Sequence, residues 1–209
     1  MAGILDLLNS DLGKQIISGV SSDSNQPESK TADVLSMALP LLMGAMKKNA
    51  TSPEGAEGLM NALNTKHNGS ILDNLGSLFD GGVDENVKQD GAGILKNVLG
   101  SSENNVTNAI SQKSGLDSGA VMNILKVAAP LVLGYLGKQK NQQQVQTSSG
   151  MEGLLGGILG GNNQQQSMIE SLLDGNNDGS VIDDLAGMML GRNKGNSGGL
   201  GDLLGGFLK

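Results

Sequence analysis

The side chains best suited to chemistry in this 209-residue sequence carry oxygen atoms and lie between residues 174 and 184. Oxygen ligands at loop positions 1, 3 and 5, followed by glycine at position 6, open the calcium loop of an EF-hand. Alternate side chains then converge on a hard cation, and a backbone carbonyl supplies position 7. Position 12, normally glutamate, is Leu185, so we expect a weaker calcium site that closes one position early. Its expected ligands are Asp174, Asn176, Asp178, Ser180 and Asp184.

The same stretch has a second interpretation that involves no metal. A run of Asn, Asp and Gly is typical of a turn whose side chains cap the following helix, here a helix that begins at Ser180. The corresponding loop in the first half of the chain, 64–70, lacks the first and third carboxylates and contains Lys66, so we expect no metal there. His67, the only histidine, lies in that polar turn and is expected at the surface.

Residue types needed for catalysis are scarce. The sequence has no cysteine, which excludes thiol catalysis and thiolate metal sites. A single histidine has no serine partner in view for a triad, and no phosphate-binding glycine loop follows a predicted strand. We therefore predict a protein that is not an enzyme, with calcium as the only candidate cofactor.

Residues 106–127 resemble a helix-turn-helix, with Gly115 at the turn and Asp117 placed to cap the second helix. That helix begins Asp-Ser-Gly-Ala and offers no arginine to phosphate or guanine. The net charge of −7 and the scattered lysines also disfavour nucleic-acid binding. A structural corner is the favoured interpretation, and a DNA-binding regulator is the alternative.

The sequence contains no signal for a membrane. No stretch reaches the ~18 consecutive apolar residues of a spanning helix, and no basic segment followed by an apolar run marks a secretory signal at the start. We expect no integral membrane insertion and, by default, a cytoplasmic location.

Helical spacing of apolar residues indicates an all-α protein. One helix is predicted over 4–20, a polar loop over 21–30, and a second helix over 34–46 that contains Pro40 and should kink there. Ser52 and Pro53 form a helix start, and a short helix is predicted over 71–79.

The pattern then repeats. An offset of 90 residues aligns apolar positions and superimposes Pro40 on Pro130, each followed four residues later by glycine. A second sequence similarity, at an offset of 110 residues, aligns 69–75 with 179–185. We predict a duplicated multi-helix unit with Pro-kinked central helices, polar linkers and a Gly-rich tail. Its parts are a first copy at 1–90, core helices of the second copy at 91–139, low-complexity linkers with a short Gly/Leu helix at 140–167, the EF-hand-like loop and terminal helices at 168–190, and the tail at 191–209.

Three stretches of the second half carry a family resemblance: the run from Asp90 to Gly100, Ser-Gln-Lys-Ser-Gly-Leu-Asp at 111–117, and Ala-Ala-Pro-Leu-Val-Leu-Gly at 128–134. Together they resemble the YidB-like family of bacterial proteins of unknown function. The resemblance implies an all-helical fold and a bacterial origin, and it supplies no activity or catalytic residue.

These observations favour a non-enzymatic helical protein of interaction or assembly. Its partner would be another protein or a second copy of itself. The Gly/Leu segments at 154–159 and 203–208 are candidate contacts for self-association or for a membrane surface, and a weak helix folded over the core is the favoured interpretation of both. The alternatives are a calcium-responsive module acting through 174–184 and a DNA-binding regulator acting through 106–127.

Overall fold

The computed structural model describes residues 4–159, and within them every regular element is helical, as predicted. Two 3₁₀ turns, Ser70–Asn74 and Gly100–Ser102, join longer helices. The helices are α1 (Ile4–Asn9), α2 (Asp11–Ser24), α3 (Glu28–Asn49), α4 (Pro53–Thr65), α5 (Leu75–Phe79), α6 (Glu85–Leu99), α7 (Glu103–Ser114), α8 (Ser118–Gln142) and α9 (Ser148–Leu159).

The single helix predicted over 4–20 is wrong, because the chain breaks at Ser10 into α1 and α2. The Ser10 hydroxyl accepts a hydrogen bond from the Gly13 amide at 3.1 Å and so caps α2. Gly13 lies directly against the end of α1, where a Cβ atom would stand 2.0 Å from the Leu7 carbonyl oxygen. The apolar spacing continued across the break, so periodicity alone did not show it.

The polar loop predicted over 21–30 is wrong in its extent, because α2 continues to Ser24 and α3 begins at Glu28, directly after Pro27. The starts of α4 and α8 agree with the local signals in the sequence. Ser52 caps α4 through the Gly55 amide, with Pro53 at the first helical position. Asp117 caps α8 by accepting from the Ala120 amide at 2.9 Å, and Gly115 adopts the left-handed conformation (φ 73°) between α7 and α8. The predicted caps and the predicted turn are confirmed.

The core lies around the two long helices α3 and α8, which pack against each other and contain Pro40 and Pro130. Helix α8 is buried along most of its length, and α1, α2, α6, α7 and α9 pack around the pair. Aliphatic side chains and methionine make up nearly all of the described core. The largest fully buried side chains include Leu35, Leu42, Met43, Met46, Leu95, Ile124, Leu125, Leu136 and Met151.

The turns that precede α3 and α8 have the same geometry. Before α3, the Ser21 hydroxyl donates to the Gln26 carbonyl at 2.6 Å, and Asn25 is left-handed (φ 52°). Ninety residues later, Ser111 donates to the Leu116 carbonyl, also at 2.6 Å, with Gly115 in the left-handed position. The two turns therefore share this hydrogen bond and a left-handed residue, although only α8 has a side-chain cap, from Asp117.

Two predicted domain limits can be compared with the helices. Helix α6 runs without interruption across residues 90 and 91, where the first copy was predicted to end. Helix α8 continues to Gln142, and α9 coincides with the Gly/Leu helix predicted inside 140–167. The predicted segments at 168–190 and 191–209 lie outside the described residues.

Candidate functional site

An open cleft of about 930 Å³ lies between α4 and α6. Three exposed or half-buried glycines, Gly55, Gly58 and Gly93, lie along its walls. Apolar lining comes from Met46, Leu59, Ala62, Ile94, Val98 and Leu133, and polar lining from Asn49, Ser52, Thr65, Lys66, His67, Asn86, Gln89, Asp90 and Asn97. The cleft thus combines apolar side chains with a rim that is mostly amide and hydroxyl.

Helix α6 forms one wall because it packs very closely on α8. At Gly91 a Cβ atom would stand 1.7 Å from the Lys126 carbonyl oxygen, so only glycine permits this crossing. The far end of α6 is tied to α3 by Asn49, whose amide donates to the carbonyls of Asn97 (3.2 Å) and Val98 (3.1 Å). These carbonyls lie in the last turn of the helix, where no intrahelical donor remains for them.

One end of the cleft holds a cluster of three ionisable side chains, and here the sequence prediction for His67 is wrong. His67 is only 6 % exposed, and its Nε2 lies 3.5 Å from Asp90 Oδ2. The Lys66 ammonium contacts the other carboxylate oxygen of Asp90 at 2.5 Å. The turn at His67 can pack this tightly because Gly137 on α8 has no side chain: a Cβ there would stand 1.9 Å from the His67 carbonyl oxygen.

The cluster fixes the charge on the imidazole. Burial lowers the pKa of His67, the Asp90 carboxylate opposes that shift, and the Lys66 ammonium adds to it. The imidazole is therefore neutral near pH 7, while Lys66 and Asp90 form an ion pair beside it. A neutral ring of this kind can donate one hydrogen bond and accept another at the end of the cleft.

A lysine at the same end of α8 strengthens the contact with the 64–70 loop. Lys140 is 7 % exposed, and its ammonium donates to Asn64 Oδ1 at 2.6 Å. The Asn141 amide donates to the Asn68 carbonyl at 3.0 Å. The loop that was predicted to be a simple polar turn is thus held on α8 by backbone packing and by two side-chain hydrogen bonds, of which the one from Lys140 is partly buried.

The five predicted calcium ligands, Asp174, Asn176, Asp178, Ser180 and Asp184, lie outside the described residues, so the calcium site stays a prediction. Within 4–159 no three His, Asp or Glu side chains converge in a way that could hold a metal ion. In the corresponding loop of the first half, Asn68 Oδ1 accepts from the Ser70 amide at 3.0 Å. This contact is a local Asn turn that precedes the 3₁₀ turn Ser70–Asn74.

The helix-turn-helix shape predicted at 106–127 is present as α7, the Gly115 turn and α8. The helix that would have to enter a DNA groove is the core helix of the described fold, with Val121, Ile124 and Leu125 fully buried. The structural corner and the DNA-binding regulator both stay predictions.

Helix α8 is also the one helix in the described part of the chain whose length and hydropathy would suffice to cross a membrane. Its most apolar window is 78 % buried inside the fold, a property it shares with the core helices of many soluble proteins. The length and hydropathy of α8 are therefore only weak evidence for membrane insertion.

Sequence reasoning missed the cleft and its cluster. Its only local trace is the set of glycines that line it, Gly55 and Gly58 three residues apart on α4 and Gly93 on α6. The partner residues lie far apart in the chain, and their meeting depends on how α6 crosses α8.

Comparisons with known proteins give a family and nothing more specific. A family model described as "Bacterial protein of unknown function (DUF937)" matches residues 6–139, well over half of the chain. No curated protein and no solved structure matches. An unknown-function bacterial family agrees with the resemblance noted in the sequence, and the finer YidB-like assignment stays a prediction.

Proposed function

The chain belongs to the DUF937 family of bacterial proteins of unknown function, and we propose that it is a non-enzymatic helical protein that self-associates through the α4–α6 cleft. The observation that carries the proposal is the cleft itself. It is a recess between two helices with apolar side chains inside and amide groups at the rim, and glycines without side chains make its walls lower. Grooves of this type receive the apolar face of an amphipathic helix.

The chain itself contains a segment with the right chemistry. Helix α9 ends in Leu-Leu-Gly-Gly-Ile-Leu at 154–159, and its Leu154, Leu155 and Ile158 side chains are buried where α9 packs on α3 and α4. Residues 203–208 read Leu-Leu-Gly-Gly-Phe-Leu. A segment of the same type thus already packs against one side of α4, and the cleft lies along α4 as well.

The occupant of the cleft is residues 203–208 of a second copy. Two copies can exchange these segments reciprocally, which fills both clefts and closes the assembly under two-fold symmetry. Insertion into the cleft of the same chain is the competing arrangement, and it would leave the protein monomeric.

We also propose that the chain carries a duplicated unit of about ninety residues, as the sequence offset suggests. The matched turns at Ser21 and Ser111 support this, since the two hydrogen bonds have the same length and the same spacing along the chain. The prolines of α3 and α8 support it too. In this interpretation α4 and α9 also correspond, because Ser52 and Thr147 cap them through Gly55 and Gly150.

The experiment is sedimentation equilibrium of the full chain over a concentration series. In the test variant, Gly58→Leu, the new side chain projects from an exposed helical position with no described atom within 4 Å, so it fills the cleft without straining the fold. Gly153→Leu is the matched control, because Gly153 is equally open but lies on α9 outside the cleft.

We expect the wild type and Gly153→Leu to associate with the same constant, and Gly58→Leu to associate at least ~10-fold more weakly, a loss of about 1.4 kcal/mol. A wild type that stays monomeric at every concentration, or a Gly58→Leu variant that associates like the wild type, contradicts the proposal.

A further inference from the structure

The long helices α3 and α8 differ in how well they are covered. On α8, Leu131, Gly134 and Tyr135 are buried. The positions ninety residues earlier on α3, Leu41, Gly44 and Ala45, are only partly buried. Among the described residues, and apart from the neighbouring residues and backbone of α3 itself, no atom lies within 4 Å of the place where a Cβ on Gly44 would stand.

The segment 69–79, which we call the cover segment, explains the burial on α8. Its Ile71 packs into the notch at Gly134, where a Cβ would stand 2.5 Å from Ile71 Cγ2. Asp73 forms an ion pair with Lys138, Oδ1 to Nζ 3.2 Å. At the end of the segment, Phe79 packs against α2.

Phe79 packs closely because α2 has a glycine at the contact. A Cβ on Gly19 would stand 2.2 Å from the Phe79 ring. The cover segment therefore uses three features of its receiving surface: a glycine notch on α8, a lysine one turn further on along α8, and a glycine on α2.

The sequence contains a second version of the cover segment at 179–189. At the offset of 110 residues, Val181 takes the place of Ile71, Asp183 that of Asp73, and Met189 that of Phe79. Apolar and acidic positions are both preserved, and the aromatic ring is replaced by a slimmer side chain.

The surface of α3 and α7 carries the matching receiving features at the offset of 90 residues. Gly44 corresponds to Gly134 and Lys48 to Lys138, so the notch and the positive charge are both present. Gly19 corresponds to Ala109. A larger residue on the helix would thus face the slimmer Met189 if the second segment docked in the same way, as close packing requires.

We propose that residues 179–189 dock on the α3–α7 face at Gly44 of their own chain, as residues 69–79 dock on the α8–α2 face at Gly134. The proposal rests on the duplication put forward above and is independent of the α4–α6 cleft. The segment begins twenty residues after Leu159, the end of α9. Twenty residues can span up to ~70 Å, so the chain reaches the face easily.

The test uses engineered disulfides, which are unambiguous because the chain has no cysteine. A Cβ on Gly134 would stand 4.0 Å from Ile71 Cβ, within the range a disulfide needs. Gly134→Cys with Ile71→Cys is therefore the positive control, and Gly44→Cys with Val181→Cys is the test pair. Gly153→Cys with Val181→Cys is the negative control, because Gly153 is another open helical glycine.

Oxidation of the dilute full-length protein is followed by peptide mass spectrometry. We expect the test pair to close within one chain at least ~10-fold faster than the negative control, because docking raises the effective concentration of the two thiols. Equal rates for the test pair and the negative control overturn the proposal. A bond that forms only between chains also overturns it and assigns the Gly44 face to a second copy.

A second measurement needs no cysteine. Hydrogen exchange of residues 179–189 is compared between the wild type and Gly44→Leu, whose side chain would occupy the notch. Exchange should be slow in the wild type and faster in the variant. Identical exchange in both proteins contradicts docking at Gly44, and it leaves the sedimentation test of the cleft unaffected.

Discussion

Gly91 of α6 crosses α8 so closely that a Cβ on residue 91 would stand 1.7 Å from the carbonyl oxygen of Lys126. This contact sets the position of α6 and hence one wall of the cleft. Two residues further along the same helix, Gly93 is exposed on the cleft side with open space around it. The two glycines therefore have opposite roles in one helix.

The first prediction compares these two glycines. Gly91→Ala should lower the free energy of unfolding by about 2 kcal/mol, because the backbones must move apart to admit a methyl group. Gly93→Ala should raise it by about 0.5–1 kcal/mol, because alanine is the better helix former at an open site. Urea unfolding measures both, and equal effects of the two substitutions would contradict the close crossing.

The second prediction concerns Asp23, whose side chain is 6 % exposed. It accepts a hydrogen bond from the Val83 amide at 2.8 Å and pairs with Lys88 at 2.9 Å, joining α2 to the start of α6. Asp23→Ala should cost about 2–4 kcal/mol in unfolding free energy, because a largely buried amide and an ammonium lose their partner.

The control for Asp23 is Asp11, which is almost fully exposed and lies 3.9 Å from Lys14. Asp11→Ala should change stability by less than ~0.5 kcal/mol, since exposed pairs contribute little. If Asp11→Ala lowered the unfolding free energy as much as Asp23→Ala, the loss would come from the change in net charge and not from the buried contacts of Asp23.

The third prediction concerns two buried threonines. Thr31 is fully buried, and its Oγ1 has no hydrogen-bond partner among the described residues, whereas Thr107 Oγ1 donates to the Glu103 carbonyl at 2.8 Å. Thr31→Val should raise the unfolding free energy by about 1 kcal/mol, and Thr107→Val should not. Val121 already occupies the position ninety residues after Thr31. Thermal and urea unfolding measure both substitutions. Destabilisation by Thr31→Val would contradict a buried Thr31 hydroxyl that has no hydrogen-bond partner.

The fourth prediction is a pH dependence centred on His67. Burial keeps its native pKa below the unfolded value of about 6.5, so the unfolded chain binds the extra proton. The stabilisation that comes from the neutral, buried His67 is fully present above about pH 6.5. It is lost as the pH falls from the unfolded pKa of about 6.5 through the lower native pKa. Asp90 and Lys66 are the charged groups beside the ring.

Urea unfolding of the wild type and His67→Gln at about pH 7.5 and about pH 5.5 tests this window. The wild type should lose more stability on acidification than the variant, although the variant is less stable at the higher pH. Parallel losses in both proteins, or a wild type that gains stability on acidification, would contradict the buried neutral imidazole.

The sequence predicted what depends on neighbouring residues and missed what depends on distant ones. The caps at Ser52 and Asp117 and the turn at Gly115 were predictable because each is a contact within a few residues. The break at Ser10 carried a local signal too, a serine followed by an acidic residue, but the continuous apolar spacing outweighed it.

The burial of His67 could not be predicted, since nothing near it in the chain is apolar enough to require it. It follows from Gly137, seventy residues later, which allows the His67 backbone to lie against α8. The cleft has a similar origin, because one of its walls is α6, whose position depends on the close crossing of α8 at Gly91.

The most direct measurement of the central claim mixes two single-cysteine chains, Gly58→Cys and Leu204→Cys, and follows disulfide formation between them. The account predicts a mixed disulfide dimer that forms at least ~10-fold faster than in a mixture of Gly153→Cys with Leu204→Cys. Equal rates in the two mixtures would show that the 203–208 segment of one copy does not enter the α4–α6 cleft of another.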